Sequence, residues 1–163
     1  MKIYTGKSKI HNKGTFAVRD IKKDEIISRF YGSVKFKINK NKRDALSHPN
    51  WIGVKKNHWM DPEKPQKYIN HSCNPNTSIC GKVSIVALRN IKEGEEITFD
   101  YSIIEGDSRW EMKCKCGSKN CRKLIRSVQF LPKRAHSKYD PYIPTYFKNL
   151  YLENHKKIKT HVR

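Results

Sequence analysis

The sequence predicts a mainly β fold. Runs rich in β-branched and aromatic residues recur along most of the chain, each only a few residues long. Gly, Pro, Asn and Asp punctuate them as turns. Helical spacing of apolar residues is clear only near the C-terminus, and no internal repeat or long linker is visible. With 163 residues, 36% hydrophobic and 10% aromatic, the chain suits one domain with a real core and lacks the composition of a disordered segment.

Residues 1–18 hold short β pieces. Lys9-Ile10-His11 leads through Asn12-Lys13-Gly14 into Thr15-Phe16-Ala17-Val18, and the Gly lets the backbone turn or approach a ligand closely. Lys22-Lys23-Asp24 is a turn, and Glu25 to Tyr31 reads as a strand ending at Gly32. Val34-Lys35-Phe36-Lys37-Ile38 alternates, which predicts one buried face and one Lys face. Lys40 to Ser47 suits a short helix ended by Pro49. Trp51 to Val54 and His58 to Met60 read as strands joined at Lys56-Asn57. Thr77 to Cys80 and Val83 to Leu88 form a hairpin about Gly81-Lys82. Asn90 to Gly94 is a turn, Glu96 to Tyr101 a strand, and Ser102 to Lys113 a polar connector holding Trp110. Ile143, Tyr146, Phe147, Leu150 and Tyr151 give Tyr142 to His155 one apolar helical face, with Pro144 in the first turn.

Charge narrows the partners. The formal net charge is +20, from 35 Lys+Arg against 15 Asp+Glu, which favours nucleic acid, nucleosomes or other acidic surfaces. The Lys residues are spread along the chain, so a Lys- and Asn-rich composition accounts for part of this excess. No apolar run approaches a membrane span, and no hydrophobic signal segment follows Met1-Lys2-Ile3-Tyr4. The expectation is a soluble protein of a reducing intracellular compartment, cytoplasm or nucleus (a host's nucleus for a pathogen's effector). Five Cys in such a setting point to metal or catalysis before disulfides, and Asn76-Thr77-Ser78 is then a chance glycosylation pattern.

Two constellations carry chemistry. Tyr68 to Asn76 reads Tyr-Ile-Asn-His-Ser-Cys-Asn-Pro-Asn, a polar turn-forming stretch that predicts a loop rather than a core strand. Cys114, Cys116 and Cys121 form C-x-C-x4-C among Lys, Gly, Ser and Asn, an exposed turn where free thiols would oxidise. Three thiolates need one more ligand for a closed tetrahedral zinc site, and Cys73, Cys80, His71 and His136 are the candidates.

Asn12-Lys13-Gly14, Asn70-His71-Ser72-Cys73 and Gly94-Glu95-Glu96-Ile97-Thr98-Phe99-Asp100-Tyr101, followed by the Cys cluster, resemble the SET-domain protein lysine methyltransferases in content and order. The resemblance covers roughly residues 3 to 125. It departs at Asn12, where the family usually has Gly, and at Phe30, where it has Tyr. Asn tolerates positive φ best among residues with a side chain, so the turn survives. The resemblance implies several small sheets and a knot-like crossing of the segments near Asn70 and Tyr101. It divides the chain into a SET domain over 1–112, a post-SET zinc segment over 113–126 and a tail over 127–163 whose helix packs on the domain.

The resemblance also implies roles. S-adenosylmethionine is the cofactor, held by Lys13, Gly14, Thr15 and Phe16 at its methionine end. Asn70 and His71 hold it through main chain, and Leu124 lies on the adenine. Tyr101 sits at the transfer point, while Phe99, Phe30 and Trp51 line the lysine channel. Cys73 completes a zinc site with Cys114, Cys116 and Cys121, which leaves Cys80 free. The implied partner is a protein lysine, in a histone tail, a nucleosome or another protein, and the basic surface adds non-specific nucleic-acid affinity. Phe99, two residues before Tyr101, implies a di- or trimethyl product. A basic zinc module that binds nucleic acid or chromatin without catalysis is the alternative, and S-adenosylmethionine binding separates the two.

Overall fold

The computed structural model describes residues 2–36 and 50–160. Twelve short strands among them form four small sheets. β1 (Ile3–Lys7) pairs antiparallel with β2 (Lys13–Ala17). The turn between them contains Asn12 at φ 36, so the residue standing where the family has Gly does take the positive φ. β10 (Glu96–Phe99) adds antiparallel to β2, and β7 (Asn70–His71) adds parallel to β10 with Thr98 opposite Asn70 and Phe99 opposite His71. The second sheet orders β3 (Ile26–Arg29), β9 (Ser84–Ala87) and β8 (Thr77–Cys80), the last two being the hairpin expected about Gly81. The third orders β4 (Gly32–Phe36), β6 (His58–Pro62) and β5 (Ile52–Lys55). β11 (Glu111–Lys113) and β12 (Leu124–Arg126) form a ribbon around the cysteine loop.

Gly32 shows why the chain can pass from β3 into β4. Its φ is 154, and an added Cβ would lie 1.9 Å from the Asp61 carbonyl oxygen, inside the β4–β6 pairing. The core is isoleucine-rich: Ile3, Ile21, Ile79, Ile85, Ile91 and Ile97 are fully buried together with Phe30, Phe99 and Phe147. Two short helices close the chain, α1 (Lys133–Tyr139) and α2 (Thr145–Thr160). Phe147 and Tyr151 of α2 join the core, as the apolar face of the C-terminal helix requires. Among the described residues no helix is long and apolar enough to cross a membrane.

Several expectations need correction. Asn70-His71 is a buried strand, because side-chain hydrogen bonds satisfy the polar atoms that would otherwise forbid it. Ser102 to Lys113 is not all polar connector: Tyr101–Ile104 forms a 3-10 turn burying Ser102, Ile103 and Ile104. The Asp100 carboxylate caps that turn by accepting the Ser102 N–H, a signal lying inside the motif itself. Val34 is 45% exposed, so the alternating stretch does not bury its Val as expected. The C-terminal helix starts at Thr145, with Pro144 just before it. α1 was not foreseen, since it buries only His136 and Tyr139 and shows too little apolar spacing to read. The helix expected over Lys40 to Ser47 lies outside the described residues.

Candidate functional site

The loop from Asn70 to Asn76 is fastened to β10 by its own amides. Asn76 Oδ1 accepts the Thr98 N–H at 2.9 Å, and its Nδ2 donates to the Glu96 carbonyl at 2.8 Å. Asn70 Nδ2 donates to the Lys13 carbonyl at 2.9 Å and to Glu96 Oε1 at 2.7 Å. Ser8 Oγ donates to the same carboxylate at 2.8 Å. One amide thus brings Lys13, Gly14 and the Asn70–His71 strand together. Thr15 Oγ1 is engaged too, donating to the Pro65 carbonyl at 2.6 Å, and Phe16 packs against Tyr4 with ring centroids 5.6 Å apart. Gly14 is required in this junction, because a Cβ there would lie 2.4 Å from Glu96 Oε1 and 2.9 Å from Ser8 Cβ. Gly14→Ala is therefore expected to push the carboxylate off Ser8 and Asn70 and to loosen the Lys13 carbonyl. A charge-assisted hydrogen bond is worth about 1.5–3 kcal/mol, so affinity for a ligand held at this junction should fall roughly tenfold. Calorimetry with S-adenosylmethionine, beside a thermal melt, checks this.

Ile69 precedes this strand and faces the other way, into a cavity of about 220 Å³. Phe30, Trp51, Phe99 and Tyr101 all line that cavity, so the four residues expected to shape a channel meet in one place. Trp59 and Trp110 line it as well, and the chain has three Trp in all. Phe99 meets Phe30 edge-on, with centroids 5.9 Å apart at 72°. The Phe99 and Tyr101 rings are 5.0 Å apart. Tyr101 OH donates to the Ile69 carbonyl at 2.8 Å. Burial raises the Tyr101 pKa, and the Glu96 carboxylate adds to it, so the hydroxyl keeps its proton.

On the far side of His71 lies a cluster able to hold a metal ion. The donor atoms of His71, Cys73, Cys114 and Cys116 all lie within 4.8 Å of one another. Cys73 Sγ and Cys114 Sγ are 3.8 Å apart. A tetrahedral ion with Zn–S bonds of about 2.3 Å needs a sulfur–sulfur distance of about 3.8 Å, so this pair fits. Burial works to raise Cys116, yet the Cys73 N–H and the Ser118 hydroxyl bring its pKa below that of a free thiol. Of the four candidates for the remaining ligand, Cys80 ends β8 and His136 stacks on Tyr151 in the helical tail, while Cys73 and His71 reach the cluster.

His71 enters the cluster through a proton. The Tyr101 N–H donates to His71 Nδ1 at 3.2 Å, which puts the ring proton of the neutral imidazole on Nε2. Nε2 lies 3.3 Å from Cys73 Sγ and donates to it. Burial, opposed by the Asp100 charge and aided by Arg122, lowers the His71 pKa to about 4, so the ring is neutral. With its proton on Nε2 the ring is placed as a donor to the Cys73 sulfur, the arrangement by which outer-shell groups orient metal ligands, while the same nitrogen belongs to the four donor atoms that lie within 4.8 Å of one another. Cys121 Sγ lies 3.7 Å from the Cys114 carbonyl, at the edge of the cluster. Leu124 is 44% exposed on the β11–β12 ribbon.

Sequence reasoning missed the group that joins the metal cluster to the Tyr101 motif. Asp100 is buried and accepts from Arg122 Nη2 at 2.6 Å and from Tyr139 OH at 3.1 Å. The Arg122 N–H also donates to Cys73 Sγ at 3.4 Å. Asp100 sits inside a recognisable motif and Arg122 follows the last cysteine, so both had a positional signal; Tyr139 had none.

The SET-domain family profile matches residues 12–102, more than half of the chain. The chain is 29% identical over 138 residues to the human histone-lysine N-methyltransferase 2D, covering 76% of this chain and 2% of that protein. Against the Drosophila virilis histone-lysine N-methyltransferase trithorax it is 33% identical over 141 residues, 76% of this chain and 4% of the relative. Against the Caenorhabditis elegans histone-lysine N-methyltransferase set-2 it is 34% identical over 133 residues, 71% of this chain and 9% of the relative. The chain thus spans only a small part of these relatives' length. The matched span runs from the Asn12 turn through the Asn70–His71 strand to Tyr101, the three segments that the Asn70 amide and the Tyr101 hydroxyl draw together, and the chain belongs to the SET-domain family.

Proposed function

We propose that the chain is an S-adenosylmethionine-dependent protein lysine N-methyltransferase, acting on a histone or another protein, with a structural zinc in its cysteine cluster. The observation that carries this is the Ile69–Asn70–His71 strip. Ile69 faces an aromatic cavity and takes the Tyr101 hydroxyl, while Asn70 holds Lys13. A site for a lysine and a site for a cofactor would then share one short wall.

The cofactor supplies an electrophilic methyl group on a sulfonium. Asn70 Nδ2 and Thr15 Oγ1 are engaged inside the protein, so Lys13, Gly14, Thr15, Phe16, Asn70 and His71 would hold it mainly by main chain. The exposed side chain of Leu124 offers an apolar cover. A lysine amine has an ordinary pKa of about 10.4 and must be neutral to attack. Walls such as Phe30, Ile52, Ile69 and Phe99 strip water from the ammonium and favour the neutral form. Because Tyr101 gives its proton to the Ile69 carbonyl, its oxygen is left to accept from the amine and hold it in line. Held beside this amine, the cofactor would supply its methyl group and leave as a neutral thioether, and the proton released by the methylated amine would pass to solvent. Cys73, Cys114, Cys116 and Cys121 would bind zinc, with His71 donating to Cys73.

The test is incubation with labelled S-adenosylmethionine and a panel of histones and cell lysate, with mass spectrometry of labelled bands. Labelled lysine supports the reading. A folded, zinc-loaded protein that shows neither label nor a thermal shift with S-adenosylmethionine would leave the non-catalytic zinc module instead. A histone substrate would put the protein's work in a nucleus.

Product multiplicity follows from Phe99. The ring is fully buried between Phe30 and Tyr101 and carries no hydroxyl to anchor a water beside the amine. A methylated amine can then rotate and present its lone pair again, which predicts di- or trimethyl product. Phe99→Tyr should stop mainly at monomethyl, since an anchored water restrains the amine and fills the volume of another methyl. A tenfold change in rate needs only about 1.4 kcal/mol. Intact-mass analysis of a substrate peptide over time reads the outcome, and wild-type product that halts at monomethyl would refute it.

A further inference from the structure

The 28 residues from Met112 to Tyr139 contain nine Lys+Arg and not one Asp or Glu. The other 26 cations share the chain with all 15 acids. The structure sharpens this imbalance. Among the described residues, several cations elsewhere sit in ion pairs, such as Arg19 with Glu25, Lys92 with Asp20 and Lys148 with Asp140. Within 112–139 only Arg122 makes an ion pair, with buried Asp100, and the other eight cations are exposed.

Their placement is extended. Cross-strand partners share a face of the ribbon: Glu111 lies opposite Arg126 and Lys113 opposite Leu124, so these four stand on its exposed side while Met112 and Ile125 turn inward. Lys115 and Lys119 are exposed in the cysteine loop, and Lys133 and Arg134 are exposed in the first turn of α1. The Arg126 guanidinium carbon lies 3.6 Å from the centroid of the Phe130 ring, with Phe130 40% exposed, so the cation is held over an aromatic ring at the surface. A succession of exposed cations along one segment, with an arginine over an aromatic ring, suits a linear polyanion such as a nucleic-acid backbone. An anionic membrane would call for an amphipathic helix, whereas this face is a ribbon, a loop and the start of a seven-residue helix.

We infer that the outer face of the β11–β12 ribbon, the cysteine loop and the first turn of α1 form a binding surface for the phosphate backbone of duplex nucleic acid. The surface reads charge and not sequence, and it borders the lysine cavity, whose lining includes Glu111 and Met112 of the same ribbon, so it can anchor the protein to a DNA-bearing substrate beside that cavity.

The experiment is fluorescence anisotropy of a 30-base-pair DNA of arbitrary sequence, titrated with zinc-loaded protein from 50 to 200 mM salt. Two triple variants of equal charge are compared: Lys113→Gln with Lys133→Gln and Arg134→Gln on this face, and Lys22→Gln with Lys23→Gln and Lys82→Gln on exposed sites elsewhere. Each phosphate contact contributes about 0.9 to the salt slope, so the first variant should flatten it by roughly 2–3 and weaken binding about tenfold or more, while the second leaves the slope nearly unchanged. Zinc content and melting temperature verify folding without reference to methyl transfer, so the result is independent of the enzymatic reading. Equal loss in both variants would reduce the effect to bulk charge and overturn the assignment. So would the absence of DNA binding at 100 mM salt, or binding to phosphatidylserine vesicles but not to DNA.

Discussion

Tyr101→Phe is expected to cut methyl transfer roughly 100-fold or more while leaving the fold and cofactor affinity nearly intact. The ring is held by packing against Phe99 and by an edge-on contact with His71 at 5.4 Å, both of which Phe reproduces. Only the oxygen is lost. It is the polar atom that would orient the amine, and its own proton is fixed on the Ile69 carbonyl, so no rotation of another group replaces it. Leaving that carbonyl unpaired costs about 1–3 kcal/mol at most, because the cavity admits water. For a chain of this size 1 kcal/mol moves the melting temperature by about 2–4 °C, which a thermal melt resolves. Wild-type turnover in a well-folded variant would remove Tyr101 from the reaction.

Loss of metal should have the second largest effect. The purified protein is expected to carry one zinc, and Cys73→Ser should lower its occupancy sharply while Cys80→Ser does not. Structural zinc in small peptides contributes about 10–16 kcal/mol at neutral pH, so strong chelation should disorder the chain beyond Lys113. The damage should reach the transfer site. Arg122 donates to Cys73 Sγ through its N–H and to Asp100 through its side chain, one residue before Tyr101. Releasing the loop would leave a buried carboxylate without its cation, which costs several kcal/mol. Cys121→Ser compared with His71→Ala separates the last ligand from the hydrogen-bond donor. Zinc retained in Cys121→Ser but lost in His71→Ala would reverse the roles argued from the Tyr101 N–H.

Much of this architecture was legible in the sequence because local signals and long motifs agreed. The hairpin about Gly81, the turn at Asn57 and the amphipathic C-terminal helix each follow from residues adjacent in the chain. The residues that meet at the cavity were legible only through motif resemblance, since nothing local in Phe30 or Trp51 says that they face Tyr101. What stayed hidden was polar and long-range. Asn70 and Asn76 look like turn residues until their amides are seen to bond Lys13, Glu96 and Thr98, which turns a polar stretch into a buried strand. The Asp100–Arg122–Tyr139 group is hidden for the same reason, because a buried ion pair leaves no periodicity behind.

The sheet order β1-β2-β10-β7 also constrains how the protein is made. Phe16 of β2 pairs with Glu96 of β10, and the amide that secures Lys13 comes from Asn70. On a ribosome adding about 5–20 residues per second, the β1–β2 hairpin therefore waits several seconds with its inner edge unpaired. Closure of such distant segments is entropically slow, and an open strand edge is where chains join one another. Lys13 at the start of that waiting strand stands opposite Lys7 of β1, and these like charges at the open end of the hairpin are a safeguard against association that is already present before any site exists.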